Sequence, residues 1–180
     1  PNVTLIGVIY ADMSLHMPDF RAGERTFQLL TQVAGRAGRG EVPGEVIVQT
    51  YTPFHTAIQA ARRLDYEGFC DQELEFRKEL MYPPFSHLTC ITVRGLIEAK
   101  VAFVIKRLAE ELKAGLPPRA LMANPVPAPL ARAKGYYRYQ IILRGPSAKA
   151  LTRSVKGVLD RFRWPAGVEW AVDVDASSLM

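Results

Sequence analysis

Two helical stripes set between stretches of alternating residues constrain this chain's fold more than any other feature. Ile97, Val101, Val104, Leu108 and Leu112 recur at the spacing of one helix face, and the Gly115-Leu116-Pro117-Pro118 run ends that helix. Leu151, Val155, Val158 and Phe162 repeat the pattern behind Ser147, whose hydroxyl suits an N-cap. Around these helices Leu88–Val93 reads as a strand, and Arg119–Val126 as a weak strand entering a proline-rich turn. Tyr137, Tyr139, Ile141 and Leu143 alternate, as do Val168, Trp170, Val172 and Val174, so two further strands are expected there. The order βαββαβ over residues 86–180 implies the split, ferredoxin-like plan.

The preceding half has a different grammar. Val3–Tyr10 is an almost unbroken apolar run, as expected of a strand buried on both faces of a parallel sheet. Residues from Glu24 to about Ala37 have helical periodicity, and Glu45–Thr50 is a short strand after a Pro43-Gly44 turn. Strand, helix, strand suggests the trailing edge of a doubly wound α/β domain over residues 1–53. Thr56–Leu64 and Tyr66–Met81 read as helices of a connector over residues 54–85, stopped by Pro83-Pro84. The chain opens on Pro1 and almost at once on a strand, so it is expected to be a cut through a longer protein.

Charge divides the chain unevenly. Between Leu116 and Trp164 ten basic residues face Asp160 alone, a net of +9 in a chain whose total is +5, so the remainder sums to −4. Such an imbalance points to a polyanionic partner, nucleic acid first, against the alternative of a merely solvated basic surface. No apolar run reaches the roughly 18 residues of a membrane span and no signal peptide is present, so a soluble, cytoplasmic protein is expected. Cys70 and Cys90 lack metal-ligand spacing and read as ordinary small, buried residues.

The feature that carries chemistry is Gln32-Val33-Ala34-Gly35-Arg36-Ala37-Gly38-Arg39, which fits Q-x-x-G-R-x-G-R. On a wheel of about 100° per residue Arg25, Gln32, Arg36 and Arg39 share one face, and Leu30, Ala34 and Ala37 the other. Two glycines in one helical turn cost roughly 1 kcal/mol each, so something other than helix stability asks for them. Gly35 flanks the arginine face, where the missing Cβ lets a bulky partner approach the backbone. Arg36 and Arg39 are thus arranged for a compact anion such as a terminal phosphate. The competing reading is a surface helix end with two solvated arginines and a Gly40 cap.

Q-x-x-G-R-x-G-R matches the last signature motif of superfamily 2 helicases, and its surroundings resemble one family among them, the primosomal protein N-prime replication-restart helicases. The resemblance runs through Val3–Asp12, Pro18–Arg25, Phe27–Leu30, Gln32–Arg39 and Pro43–Val46, then Asp65-Tyr66, Phe69, Glu73-Leu74, Arg77 and Pro83–Phe85. It continues through Lys134-Gly135, Tyr137-Arg138 and Val172–Asp175. It implies the C-terminal part of a DNA helicase that reloads replication at stalled forks, with ATP and magnesium held between two recombinase-like lobes, of which this chain keeps the end of the second. Gln32, Arg36 and Arg39 then inherit contacts to the ATP phosphates, with Gly35 and Gly38 beside them. Asp19, Arg21, Glu24 and Arg25 position the motif or line the cleft, or else serve as helix-start charges and ion-pair partners.

No G-x-x-x-x-G-K-[ST] phosphate loop occurs in the sequence, nor an acidic magnesium box before the motif, so the chain alone is expected neither to hold ATP tightly nor to hydrolyse it. The family's paired zinc cysteines are absent as well, and no metal is expected.

In the basic segment, Lys149, Arg153, Lys156 and Arg163 fall opposite the last apolar stripe. Lys134-Gly135-Tyr136-Tyr137-Arg138 suggests a hairpin tip, with Tyr137 and Tyr139 inward and Tyr136 and Arg138 outward. Lys134, Tyr136, Arg138, Lys149, Arg153 and Lys156 are therefore the candidates for binding DNA, forked or single-stranded, or an acidic partner. The resemblance implies single-strand-binding protein and other primosome proteins as partners, and no membrane. Two other readings stand beside the helicase: a non-enzymatic nucleic-acid-binding ferredoxin-like protein, and an assembly scaffold. The RNA-recognition consensus is not met by Lys134–Ile141.

Overall fold

The computed structural model describes residues 3–37, 43–177 and 179, as a mixed α/β structure of five α-helices with a parallel strand pair and an antiparallel sheet. Its internal contacts divide between Phe76 and Arg77 into two compact units. α2 (Thr56–Arg63) packs into the first unit's core, and the division falls within α3 (Tyr66–Glu79).

In the first unit β1 (Leu5–Val8) pairs in parallel with β2 (Glu45–Val48), and α1 (Ala22–Ala34) lies between them in sequence. A parallel pair needs such a crossover, which explains the expected strand-helix-strand order. Phe27 and Leu30 of α1 pack with Ala57, Ile58 and Ala61 of α2 and with Phe69 of α3. The Phe27 and Phe69 rings stack with centroids 4.4 Å apart. β1 departs from expectation: Val8 joins this core, but Leu5 is 58% and Ile9 81% exposed, so its apolar run is covered on one face only.

Asp12 pins the ends of the two strands together. It sits in a short 3-10 helix (Ala11–Met13), is fully buried, and accepts hydrogen bonds from Thr50 Oγ1 (2.8 Å), the Tyr51 amide (2.9 Å), the Thr52 amide (3.0 Å) and the Thr52 hydroxyl. Burial pushes its carboxyl up, but the bonds from Thr52, Tyr51 and Thr50 outweigh burial and hold it well below the usual carboxylate range. Four donors aimed at one carboxylate leave it little reason to take a proton.

The second unit comprises β3 (His87–Gly95), α4 (Glu98–Ala114), β4 (Leu121–Met122), β5 (Val126–Ala133), β6 (Tyr136–Gly145), α5 (Ala148–Leu159) and β7 (Val168–Val174). β3 lies between β6 and β7, antiparallel to both, while β4 and β5 pair with successive stretches of the outer side of β6. Val101, Val104, Ile105, Leu108 and Leu112 of α4 and Leu151, Val155 and Val158 of α5 cover one face, against Ile91, Val93, Ile141 and Leu143. Ile97 is not part of that stripe; it is the N-cap of α4 and 63% exposed.

The proline-rich stretch expected as a turn is strand β5, and of the expected weak strand Leu121–Met122 pairs as β4 while Val126 opens β5. Prolines cannot donate to a ladder, but an edge strand has one side that needs no donors. The edge is irregular: from Pro127 to Arg132, β5 advances five residues while β6 advances two, from Tyr139 to Tyr137. Lys134 and Gly135 turn the chain back with φ of 50° and 84°, the all-positive pattern of a tight type I′ hairpin turn.

Candidate functional site

The residues expected at a phosphate lie at the C-terminal end of α1. The helix stops at Ala34 with Gly35 as C-cap, three residues short of the expected end. Beyond it the amides of Arg36 and Ala37 bond to the carbonyls of Val33 (3.1 Å) and Ala34 (3.2 Å), a tighter turn than the α-helix. The wheel that grouped Arg36 with Gln32 therefore ceases to apply at Gly35. Both side chains remain exposed, Gln32 in the last helical turn and Arg36 just after it. Among the described residues, a Cβ on Gly35 would meet the carbonyl oxygens of Thr31 and Gln32, at 3.5 and 3.7 Å. Gly38, Arg39 and Gly40 lie outside the described residues.

Asp19 and Arg25 occupy the other end of the same helix. Asp19 is buried; its Oδ1 accepts the Arg21 amide at 2.9 Å and its Oδ2 lies 3.2 Å from Arg25 Nη2. Arg21 in turn pairs with Glu24 at 2.7 Å. These contacts fasten the first turn of α1, and Arg25 precedes Gln32 by seven residues, about 10 Å of helix.

The second candidate set divides in two. Arg138 belongs to the sheet face away from the helices, since Tyr139 and Ile141 pack with the core on the helix side. Tyr136 and Lys134, with Arg94 of β3 and Glu169 and Trp170 of β7, line a cleft of about 680 Å³ on that face with it. Arg94 and Arg138 are direct cross-strand partners, as are Arg94 and Glu169. Tyr137 and Tyr139 are half-buried; Arg132 lies over the Tyr137 ring at 4.9 Å, and the Tyr139 hydroxyl bonds Glu98 at 3.2 Å. Lys149, Arg153 and Lys156 are exposed on α5, on the opposite side of the sheet. Arg163, expected on the same helix face, follows the end of α5. The cations thus form two separate surfaces of one unit.

Sequence reasoning missed Asp12, Arg94 and Glu169. Arg94 ends an apolar strand pattern, and nothing local reveals that it faces Arg138. His55 was also missed: its ring accepts the Ala57 amide (3.2 Å) as N-cap of α2, and burial pulls its imidazole below the ordinary value despite Glu73 and Asp12 nearby. Cys90 is buried, with its thiol pushed up by that burial, and Cys70 is half-buried. Among the described residues no group of three or more His, Cys, Asp or Glu could hold a metal ion, and no helix is long and apolar enough to cross a membrane.

Residues 78–177, essentially the second unit, match the family described as primosomal protein N C-terminal domain, and the chain belongs to that family. Its similarity to individual proteins extends through both units. It is 45% identical to the Replication restart protein PriA of Bacillus subtilis (strain 168) over 163 residues, 91% of this chain and 20% of that protein. The proteins of the same name from Synechocystis sp. and Treponema pallidum are each 41% identical, over 99% and 100% of this chain and 21% and 27% of theirs. This chain therefore spans between a fifth and just over a quarter of the length of those relatives.

Proposed function

We propose that this chain works as the C-terminal portion of an ATP-dependent DNA helicase for replication restart and primosome assembly. The observation that supports this most is the similarity to Replication restart protein PriA over 91% to 100% of the chain, the Gln32–Arg36 turn and the basic unit together. In this reading the parallel β1-α1-β2 unit is the end of a recombinase-like lobe. The second unit is a ferredoxin-like domain, a description supported by the strand order β7-β3-β6-β5 with both helices on one face.

Gln32, Arg36 and Arg39 act as the arginine-finger side of an ATP site whose phosphate-gripping side belongs to another lobe. ATP supplies the transferred phosphoryl group and brings magnesium with it. Arg36 and Arg39 balance the charge that spreads over the phosphoryl oxygens, and Gly35 and Gly38 leave room for them to be approached. The exposed guanidinium of Arg36 and amide of Gln32 suit phosphate oxygens. Asp19 and Arg25 act at one remove, by fixing the start of the helix that presents them. The second unit binds forked or single-stranded DNA, and the acidic segments of single-strand-binding protein and other primosome proteins, in the cytoplasm. Alone, the chain turns over no ATP.

The test joins this chain to the preceding lobe. Arg36→Ala or Arg39→Ala should lower ATP turnover about a thousandfold or more while leaving DNA affinity nearly unchanged. Unchanged turnover would remove the arginine-finger role and leave a nucleic-acid-binding protein without its own catalytic residues.

A further inference from the structure

The cleft on the helix-free face of the second unit contains an arrangement that sheet stability does not ask for. Arg94 and Arg138 stand directly opposite each other on β3 and β6, and like charges so placed destabilise a sheet. Arg94 is nevertheless held with care. Its Nε and Nη2 donate to Glu169 Oε2 at 2.9 and 2.6 Å, and its Cζ lies 5.3 Å from the Tyr136 ring centroid. Its side chain still remains 54% exposed. A guanidinium bonded along its edge and backed by an aromatic ring offers a flat cationic surface already fixed in place. Lys134 at the hairpin turn and Arg138 add two further cations to the same cleft, whose volume of about 680 Å³ suits a ligand rather than an extended protein surface.

We propose that this cleft binds single-stranded nucleic acid, with one unpaired base lying on the Arg94 guanidinium backed by Tyr136 and the adjoining phosphate held by Arg138 and Lys134. Stacking needs an exposed base face, which a paired and stacked duplex does not present, so the site selects single strands. The anion that completes the site also relieves the Arg94–Arg138 repulsion. Glu169 keeps the Arg94 plane oriented while the cleft waits. The cations of α5 lie across the sheet and hold backbone phosphates of either form without reading this difference. The inference rests on the nucleic-acid reading of the basic unit and adds Arg94 and Tyr136 as the pair that tells single strand from duplex.

Fluorescence anisotropy of the 180-residue chain with labelled oligothymidylate, a blunt duplex of equal length and a polyglutamate peptide tests it. Arg94→Ala and Tyr136→Ala should each weaken single-strand binding about tenfold and duplex binding by no more than about twofold. Tyr136→Phe should bind like the unaltered chain, because the ring is kept. Arg94→Lys, which keeps charge but loses the plane, should lose about as much single-strand affinity as Arg94→Ala. The Lys149→Ala/Arg153→Ala pair should weaken both nucleic acids alike. Equal losses on strand and duplex for the Arg94 variants, no loss on either, or Arg94-dependent binding of polyglutamate without single-strand binding would each overturn the proposal. If the unaltered chain binds neither nucleic acid, the underlying reading of the basic unit falls with it.

Discussion

Asp12 organises more of the first unit than its position suggests, because its four hydrogen-bond donors come from 38 to 40 residues further along the chain. No local pattern marks such a residue. Its lowered folded-state pKa fixes the sign of a prediction. The ionised form is preferred in the fold, so the stability it adds is complete above the ordinary aspartate value of 3.8 and is lost as pH falls below that value. Asp12→Asn should lower the melting temperature at neutral pH, and the gap from the unaltered chain should narrow as melts are taken at successively lower pH below about 4. A gap that stays constant with pH would contradict the account. Gly35 is the opposite kind of residue, legible in the sequence as a cost to helix stability. Its φ of −68° and the ordinary contacts a methyl would make mean that Gly35→Ala should fold at least as stably, by up to about 1 kcal/mol on urea denaturation. In the protein joined to its other lobe, the same change should slow ATP turnover if the space beside Arg36 serves a phosphate.

At the scale of elements, periodicity was a sound guide wherever one face of an element meets a core. The α4 and α5 stripes and the alternating strands β6 and β7 stand close to where their apolar residues imply. Leu108, fully buried at the centre of the α4 stripe, should cost about 2–5 kcal/mol of second-unit stability as Leu108→Ala, measured by denaturant unfolding. Patterning failed where partners rather than residues decide. β5 hides behind prolines that an edge strand tolerates, and β1 looks doubly buried yet leaves Leu5 exposed. The Gln32–Arg36 face is legible as a motif, while the end of α1 at Ala34 and the tighter turn after it are not. The β5–β6 turn was legible from Lys134-Gly135 itself. With Gly135 at φ 84°, Gly135→Ala should destabilise the second unit by about 1 kcal/mol, and an unchanged unfolding midpoint would exclude the left-handed turn.

For the whole chain, the asymmetry of charge was plain in the sequence, but its arrangement was not. A count of +9 over one segment cannot reveal that Lys149, Arg153 and Lys156 lie on one side of the sheet while Lys134, Tyr136 and Arg138 lie on the other with Arg94. That division depends on which side of the sheet α5 covers. It gives the second unit two cationic surfaces, and reversing charge on α5 with Lys149→Glu/Arg153→Glu should reduce the salt dependence of DNA binding without abolishing it. Titrating the unaltered chain with forked and single-stranded DNA across a salt series tests the proposed nucleic-acid-binding role. Binding to both is expected, with an affinity that falls about tenfold or more between roughly 50 and 200 mM salt as phosphate-bound counterions are released. Affinity that does not change with salt, or no binding at the lowest salt, would contradict it.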